Sequence, residues 1–236
     1  MLAFGGHNLS FSRTEIGMNW SIIVEYLPKY KTAMLLTLKI GWIGIVFSIL
    51  LGLLCAVVRY YKVPVLRVLV AIYIEIFRNT PLLVQLFFLY FALPRLGLQM
   101  SAEFCGALGL ALLGGAYMAE TFRSGLEAIE PIQRESALSL GMTHRQVLFN
   151  IIMPQAISIS VPAFVANIIF LLKETSVFSA ISLMDLMFTA KDLIGMEYKT
   201  IECLAMLVVF YLIILLPVSI VGSIVERRLR YAQFGS

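Results

Sequence analysis

A chain of 236 residues with 60% hydrophobic and 14% charged side chains is too apolar for a soluble globular domain, since such domains run at roughly 45–50% apolar and about 25% charged. The formal net charge of +4 suits a surface facing anionic lipid headgroups and does not point to nucleic-acid binding. Stretches 40–58, 147–172 and 203–225 contain no Asp, Glu, Lys or Arg. A helix needs ~20 such residues to cross a hydrocarbon layer ~30 Å thick, so the chain reads as an all-α, polytopic membrane protein.

In chain order, the first residues lack a basic start followed promptly by an apolar block, and no cleavable signal is expected. Trp20, Tyr26 and Tyr30, beside Lys29 and Lys31, read as an interfacial approach at headgroup level, which makes 1–31 an extracytoplasmic segment. Five spans follow, at 32–58, 68–93, 104–119, 147–172 and 203–225. Together they form one transmembrane domain, 32–225, with a polar loop at 120–150 and a cytoplasmic tail at 226–236. An odd count places the termini on opposite sides. Arg59, Lys62, Arg67, Arg123, Arg134, Arg145, Arg227, Arg228 and Arg230 fall on one side, and Lys29, Lys31, Lys173, Lys191 and Lys199 on the other. The basic excess assigns the first side to the cytoplasm and the N-terminus to the outside.

The second span is interrupted by FRNTPLLVQ, residues 77–85. Pro81 removes a backbone donor and frees a carbonyl. Glu75 and Arg78 lie within the span, where a charge costs ~3 kcal/mol and so faces a cavity or a partner. Spaced three apart, they either neutralise each other or face a solute, and both readings can hold together. The third span, at 1.5 Å per residue, reaches only ~24 Å. Its Ala107, Ala111, Gly115 and Ala119 recur every fourth residue, and small faces let helix backbones approach closely. A short, small-faced helix belongs in the middle of a bundle, through packing or by lining a path. The fourth span ends in LLKETSVFS, residues 171–179, either a solvated helix end or part of a site. Cys55, Cys105 and Cys203 lie far apart in apolar segments and read as buried small hydrophobes.

The most informative stretch is ESALSLGMTHRQVLFNIIMP, residues 135–154. Glu130-Pro131 opens a helix, because proline fits the first helical position. Gly141 suits a left-handed helix end, and Thr143 with Gln146 forms a capping box that starts a second helix. That second helix feeds directly into the fourth span. Ser136, Ala137 and Ser139 give the first piece a small face suited to another protein's groove. A rigid knob joined to a transmembrane rod transmits force.

This stretch resembles the cytoplasmic signature of ABC-importer permeases, E-A-A-x-x-x-G followed by an isoleucine and L-P. Glu135, Ala137, Gly141, Ile151 and Pro154 match it, while Ser136 replaces the first alanine and Met153 the leucine before Pro154. The blocks FRNTPLLVQLFF, GAYMAETFRSGLEAI and LLKETS look like the branch that takes up polar amino acids, the histidine/glutamine-permease-like group. The resemblance covers residues 27–230. It implies a type I importer-like fold of about five transmembrane helices with a cytoplasmic coupling helix, in a prokaryotic cytoplasmic (inner) membrane. Two ATP-binding subunits, a second permease subunit (identical or related) and an extracytoplasmic amino-acid-binding protein are the implied partners. No G-x-x-x-x-G-K-[ST] phosphate loop occurs in the chain. This is consistent with what the resemblance implies, that ATP and Mg belong to the partner ATPases and that this chain binds no cofactor.

A free amino acid needs partners for its ammonium and its carboxylate in a low-dielectric setting. By the same resemblance, Glu174 with Thr175 and Ser176 is expected to meet the first. Arg78, Asn79, Thr80, backbone freed near Pro81, and Gln85 are expected to meet the second. Tyr117 and Glu120 are weaker candidates. A rival reading makes the chain a stand-alone ion-coupled transporter or channel, with Glu75, Arg78 and Glu174 as a relay. An intramembrane enzyme is disfavoured, since His7 and His144 are the only histidines and no H-E-x-x-H pair exists.

Overall fold

The computed structural model describes residues 19–234; the expectations for residues 1–18 fall outside that range. Helix α1 (Trp20–Tyr60) opens on Asn19, whose side-chain oxygen accepts from the Ser21 N–H at 3.1 Å. The helix is longer at its N-terminal end than the expected span, and the difference has a cause. Tyr26 and Tyr30 do not lie at a lipid interface. Tyr30 is 0% exposed, its ring 5.4 Å from that of Phe210, and its hydroxyl donates to the Cys203 carbonyl at 2.8 Å. Both tyrosines are core residues, Tyr30 joins the start of α1 to the last helix, and of the three aromatics only Trp20 remains exposed.

Two ion pairs mark the apolar part of α1. Lys39 Nζ lies 2.9 Å from Glu103 Oε2, and Arg59 pairs with Glu120. Between Lys39 and Arg59 the charge-free run spans ~28 Å at helical rise, close to the thickness of a hydrocarbon layer. Lys62 turns the chain at φ +52°, and Pro64 starts α2 (Pro64–Arg78). Pro81 then starts α3 (Leu82–Phe87), which continues through a π-helical turn, Phe88–Ala92, and a 3₁₀ turn, Leu93–Leu96. The two halves meet at 105°. The pair begins beside Arg59 and hands over to the Glu103 end of the next helix. Its two ends thus lie at opposite ends of the bundle, as those of a broken span do, beside four long apolar helices among the described residues.

Helix α4 (Ala102–Glu127) is not short. It continues past Ala119 through Glu120 and Arg123, because those charges pair with one another and with neighbouring helices. Its central position is as expected: it is the most enclosed of the long apolar helices. A Cβ added at Gly52 of α1 would sit 2.5 Å from Met118 Cβ and 2.9 Å from the Ala119 amide nitrogen. The two backbones touch there, as a small-residue contact allows.

Helix α5 (Pro131–Ser139) ends at Gly141, which has φ +83°. Thr143 and Gln146 form the reciprocal cap of α6 (His144–Val147). The Thr143 N–H donates to Gln146 Oε1 at 2.8 Å, and the Gln146 N–H to Thr143 Oγ1 at 3.4 Å. A π-helical turn, Leu148–Ile152, leads into α7 (Met153–Glu174) and a 3₁₀ turn, Thr175–Ile181. Helix, glycine joint and continuous rod are all present.

Helix α8 (Leu186–Glu197) lies between the last two spans, where no element is expected from the sequence. Its signals were Asp185, an N-cap donating no proton but accepting from the Phe188 N–H at 2.9 Å, and apolar residues at Leu186, Ala190 and Leu193. Helix α9 (Thr200–Phe234) continues without a break to Phe234, into the region expected from the sequence to be a separate tail at 226–236. The core lies where α1, α4, α7 and the first half of α9 meet, around Ile40, Leu86, Leu110, Leu171 and Phe178. The three cysteines are free and buried.

Candidate functional site

The break between α2 and α3 opens an irregular stretch, and its polar side chains form two overlapping groups. One group repairs the break. Asn79 Nδ2 donates to the Glu75 carbonyl at 2.8 Å and to Glu75 Oε2 at 3.1 Å, and Thr80 Oγ1 donates to the Ile76 carbonyl at 2.9 Å. Gln85 Nε2 reaches back to the Phe77 carbonyl at 3.1 Å and to Thr80 Oγ1 at 3.0 Å. These bonds satisfy carbonyls that the helix end leaves without amide donors. Gln85 is thus a brace for the break, and the backbone near Pro81 offers occupied acceptors, which suit no carboxylate.

The other group faces a cleft of about 380 Å³ lined by Arg78, Asn79, Thr80, Tyr117, Phe170 and Glu174, among others. The Arg78 guanidinium lies 5.4 Å from the centre of the Tyr117 ring, a distance at which a cation is attracted by the ring face. Its Nη1 is 3.9 Å from Glu120 Oε2. Arg78 therefore turns toward α4, and among the described residues it does not pair with Glu75. Glu174, half-buried at the C-terminal end of α7, has no ion pair or hydrogen bond among the described residues. An unpaired carboxylate on the wall of a cleft is available to a cationic group.

The residues after Glu174 do not follow it into the cleft. Thr175 is 0% exposed, and its hydroxyl donates to the Leu172 carbonyl at 2.7 Å, so it is a packing residue. Ser176 is half-buried, its carbonyl accepts from Ser179 Oγ at 3.2 Å, and it is not part of the cleft lining. The chain winds as a 3₁₀ turn after Glu174, and these two side chains do not join Glu174 on the cleft wall.

Glu120 has a larger structural role than sequence reading gave it. It is 17% exposed and gathers three guanidiniums, from Arg59 of α1, Arg78 of α2 and Arg123 one turn along α4. Arg123 in turn holds Glu127. The signal available in the sequence was Arg123 three residues after Glu120; the other two arginines come from distant positions.

At the same end of the bundle stands the jointed segment. Glu135 and Ser136 are exposed, as are the apolar Ile132 and Leu140. Ala137 is only 5% exposed and points inward, so the small face divides: the serines look outward and the alanine seals the joint. Gln155 Nε2 of α7 donates to Gln133 Oε1 of α5 at 2.6 Å, a tether that sequence reading did not single out. Pro154 lies in the first turn of α7.

Similarity to known proteins agrees with this arrangement. Residues 48–231 match the family described as "binding-protein-dependent transport system inner membrane component". The probable glutamine ABC transporter permease protein GlnP of Bacillus subtilis (strain 168) is 39% identical over 171 residues, 72% of this chain and 78% of that protein. The probable amino-acid permease protein YxeN of the same organism is 35% identical over 213 residues, 89% of this chain and 95% of that protein. A crystal structure of an amino acid ABC transporter with histidines superposes with a TM-score of 0.84 at 33% identity, covering 90% of this chain and all of that one. An inward-facing structure of the MetNI methionine ABC transporter, at 18% identity and a TM-score of 0.72, shares the fold. The chain belongs to the family of inner membrane components of binding-protein-dependent transport systems.

Proposed function

We propose that the chain is the permease subunit of an ATP-binding-cassette importer for polar amino acids, and that the cleft at the α2–α3 break receives the solute. The observation that carries this reading is the presence of Arg78 and of an unpaired Glu174 in the lining of one cleft. A zwitterion needs a cation and an anion to replace its hydration in a medium of low dielectric. Asn79 and Thr80 also line the cleft on the Arg78 side, with their donors held by Glu75 and by the Ile76 carbonyl. Broken helices near mid-membrane are where transporters commonly build such sites. Membership in the family and amino-acid permeases among the relatives favour this reading over a stand-alone channel.

In this reading two ATPase subunits supply the driving force, holding ATP and Mg themselves, and a second permease completes the path opposite the first. A binding protein delivers the solute from outside. The end carrying Arg59, Arg123 and α5 faces the cytoplasm, with the C-terminus, and the N-terminus faces outward. Glu135, Ser136 and the Gly141 joint present α5 to an ATPase. The Gln133–Gln155 tether and the unbroken run from His144 to Ile181 carry its displacement into the bundle.

The test is solute-stimulated ATPase activity of the reconstituted assembly with its loaded binding protein. Glu174→Gln and Arg78→Gln are each expected to lower stimulation at least tenfold or to change which amino acid stimulates. An unchanged substrate profile in both variants contradicts the assignment.

A further inference from the structure

At the Arg59 end of α1 two cavities lie side by side, and neither belongs to the cleft described above. The first, about 330 Å³, is walled by Arg59, Lys62, Arg67 and Arg123, with Glu127 as its one acidic residue. The second, about 420 Å³, is lined almost wholly by apolar side chains, including Leu53, Phe122, Phe149 and Ile157. Ala56, Tyr60 and Leu126 line both, so the two chambers share a wall. We propose that together they form a binding site for one anionic phospholipid, with its phosphate in the basic chamber and an acyl chain in the apolar one.

The charges are arranged to receive an anion. Arg59 and Arg123 are engaged by Glu120, and Arg123 also by Glu127. Lys62 and Arg67 are exposed and have no ion pair among the described residues. They are the free cations of the chamber. The opening turn of α2 also lies here, with no side-chain cap on its amides, and a helix N-terminus favours negative charge. Basic pockets between transmembrane helices are suited to lipid headgroups.

The depth is right for a lipid and not for a soluble anion. Arg59 ends the ~28 Å charge-free run of α1, which places this chamber at one edge of the hydrocarbon layer. Tyr60 and Tyr61, packed edge to face at 5.4 Å, are exposed there, and amphipathic rings favour that level. From the same edge the apolar chamber extends along Leu53, Ile157 and Phe164 toward the membrane interior. A soluble phosphate would occupy the first chamber alone, whereas a lipid also supplies an acyl chain to the second.

The test is lipid retention by the complete transporter purified from mixed vesicles of phosphatidylglycerol and phosphatidylethanolamine, read by native mass spectrometry and lipid extraction. Wild type is expected to retain phosphatidylglycerol in preference, and Lys62→Gln with Arg67→Gln to lose that preference at least fivefold. The control pair Lys29→Gln with Lys31→Gln, at the other end of α1, should leave it unchanged. Addition of inorganic phosphate at 10-fold excess over lipid is expected to displace nothing. Equal retention in wild type and the Lys62/Arg67 variant overturns the proposal. So does displacement by phosphate, which would make this a free-anion site.

Discussion

At the scale of single residues, the contacts make signed predictions. Gly52 is packed so tightly on Met118 and the backbone of Ala119 that Gly52→Ala forces α1 from α4. Overpacking of this kind costs about 1–3 kcal/mol, and thermal unfolding in detergent should register it as a lower midpoint. Gly195 is the opposite case: an exposed position inside α8 with open space around a new Cβ. Gly195→Ala should stabilise by about 0.5–1 kcal/mol, and a fall in the midpoint would contradict the packing seen here. Asp185 gives a pH-dependent signal. Burial pushes its carboxyl up to about 7, against the opposing pull of the Phe188 and Met187 amides and of Lys191. One oxygen accepts from Phe188, and the other is buried without a partner. Because the folded-state value lies above the ordinary value near 4, folding favours the protonated acid. Its contribution is full below pH ~4 and declines up to pH ~7. Asp185→Asn, which keeps the accepting oxygen and mimics the neutral acid, should flatten that part of the stability profile relative to wild type. Identical slopes in the two proteins would rule the burial effect out.

At the scale of elements, what could be read in advance depended on whether a signal was local. The glycine joint and capping box at 141–146 are short-range devices, and they appear where the sequence placed them. Pro81 foretold the break in the second span but not its 105° angle, which depends on α3 lying against α4. The same limit explains Thr175 and Gln85. Their types suit a solute, yet a 3₁₀ turn buries one and the helix break occupies the other. Tyr26 and Tyr30 were misread for a related reason. Aromatic residues near lysines resemble an interfacial belt until the bundle packs, when α9 covers Tyr30 and Tyr26 is buried in the core. The joint itself has a testable role. Gly141→Ala puts a side chain at φ +83°, costing roughly 1–2 kcal/mol. Gly141→Pro or Glu135→Arg should abolish ATP-driven transport while solute capture by the external binding protein persists. Normal transport in both variants would remove α5 from the coupling role.

At the scale of the whole molecule, composition and charge-free runs were enough for an all-α membrane bundle, because lipid leaves few alternatives to helices. The long-range ionic hub at Glu120 was not legible, since Arg59 and Arg78 reach it only once three helices pack. That hub lies beside the charged cleft, close to the end of α4 that leads into α5. Under the proposed coupling, a displacement of α5 transmitted through α7, and through α4 by its chain connection, would arrive at the residues proposed to hold the solute. The most direct measurement is uptake of radiolabelled amino acids into proteoliposomes holding the complete assembly, with and without ATP inside the ATPase-bearing compartment. The account predicts uptake that needs both ATP and the binding protein and that falls at least tenfold in Glu174→Gln. Uptake by this chain alone without ATP would contradict it.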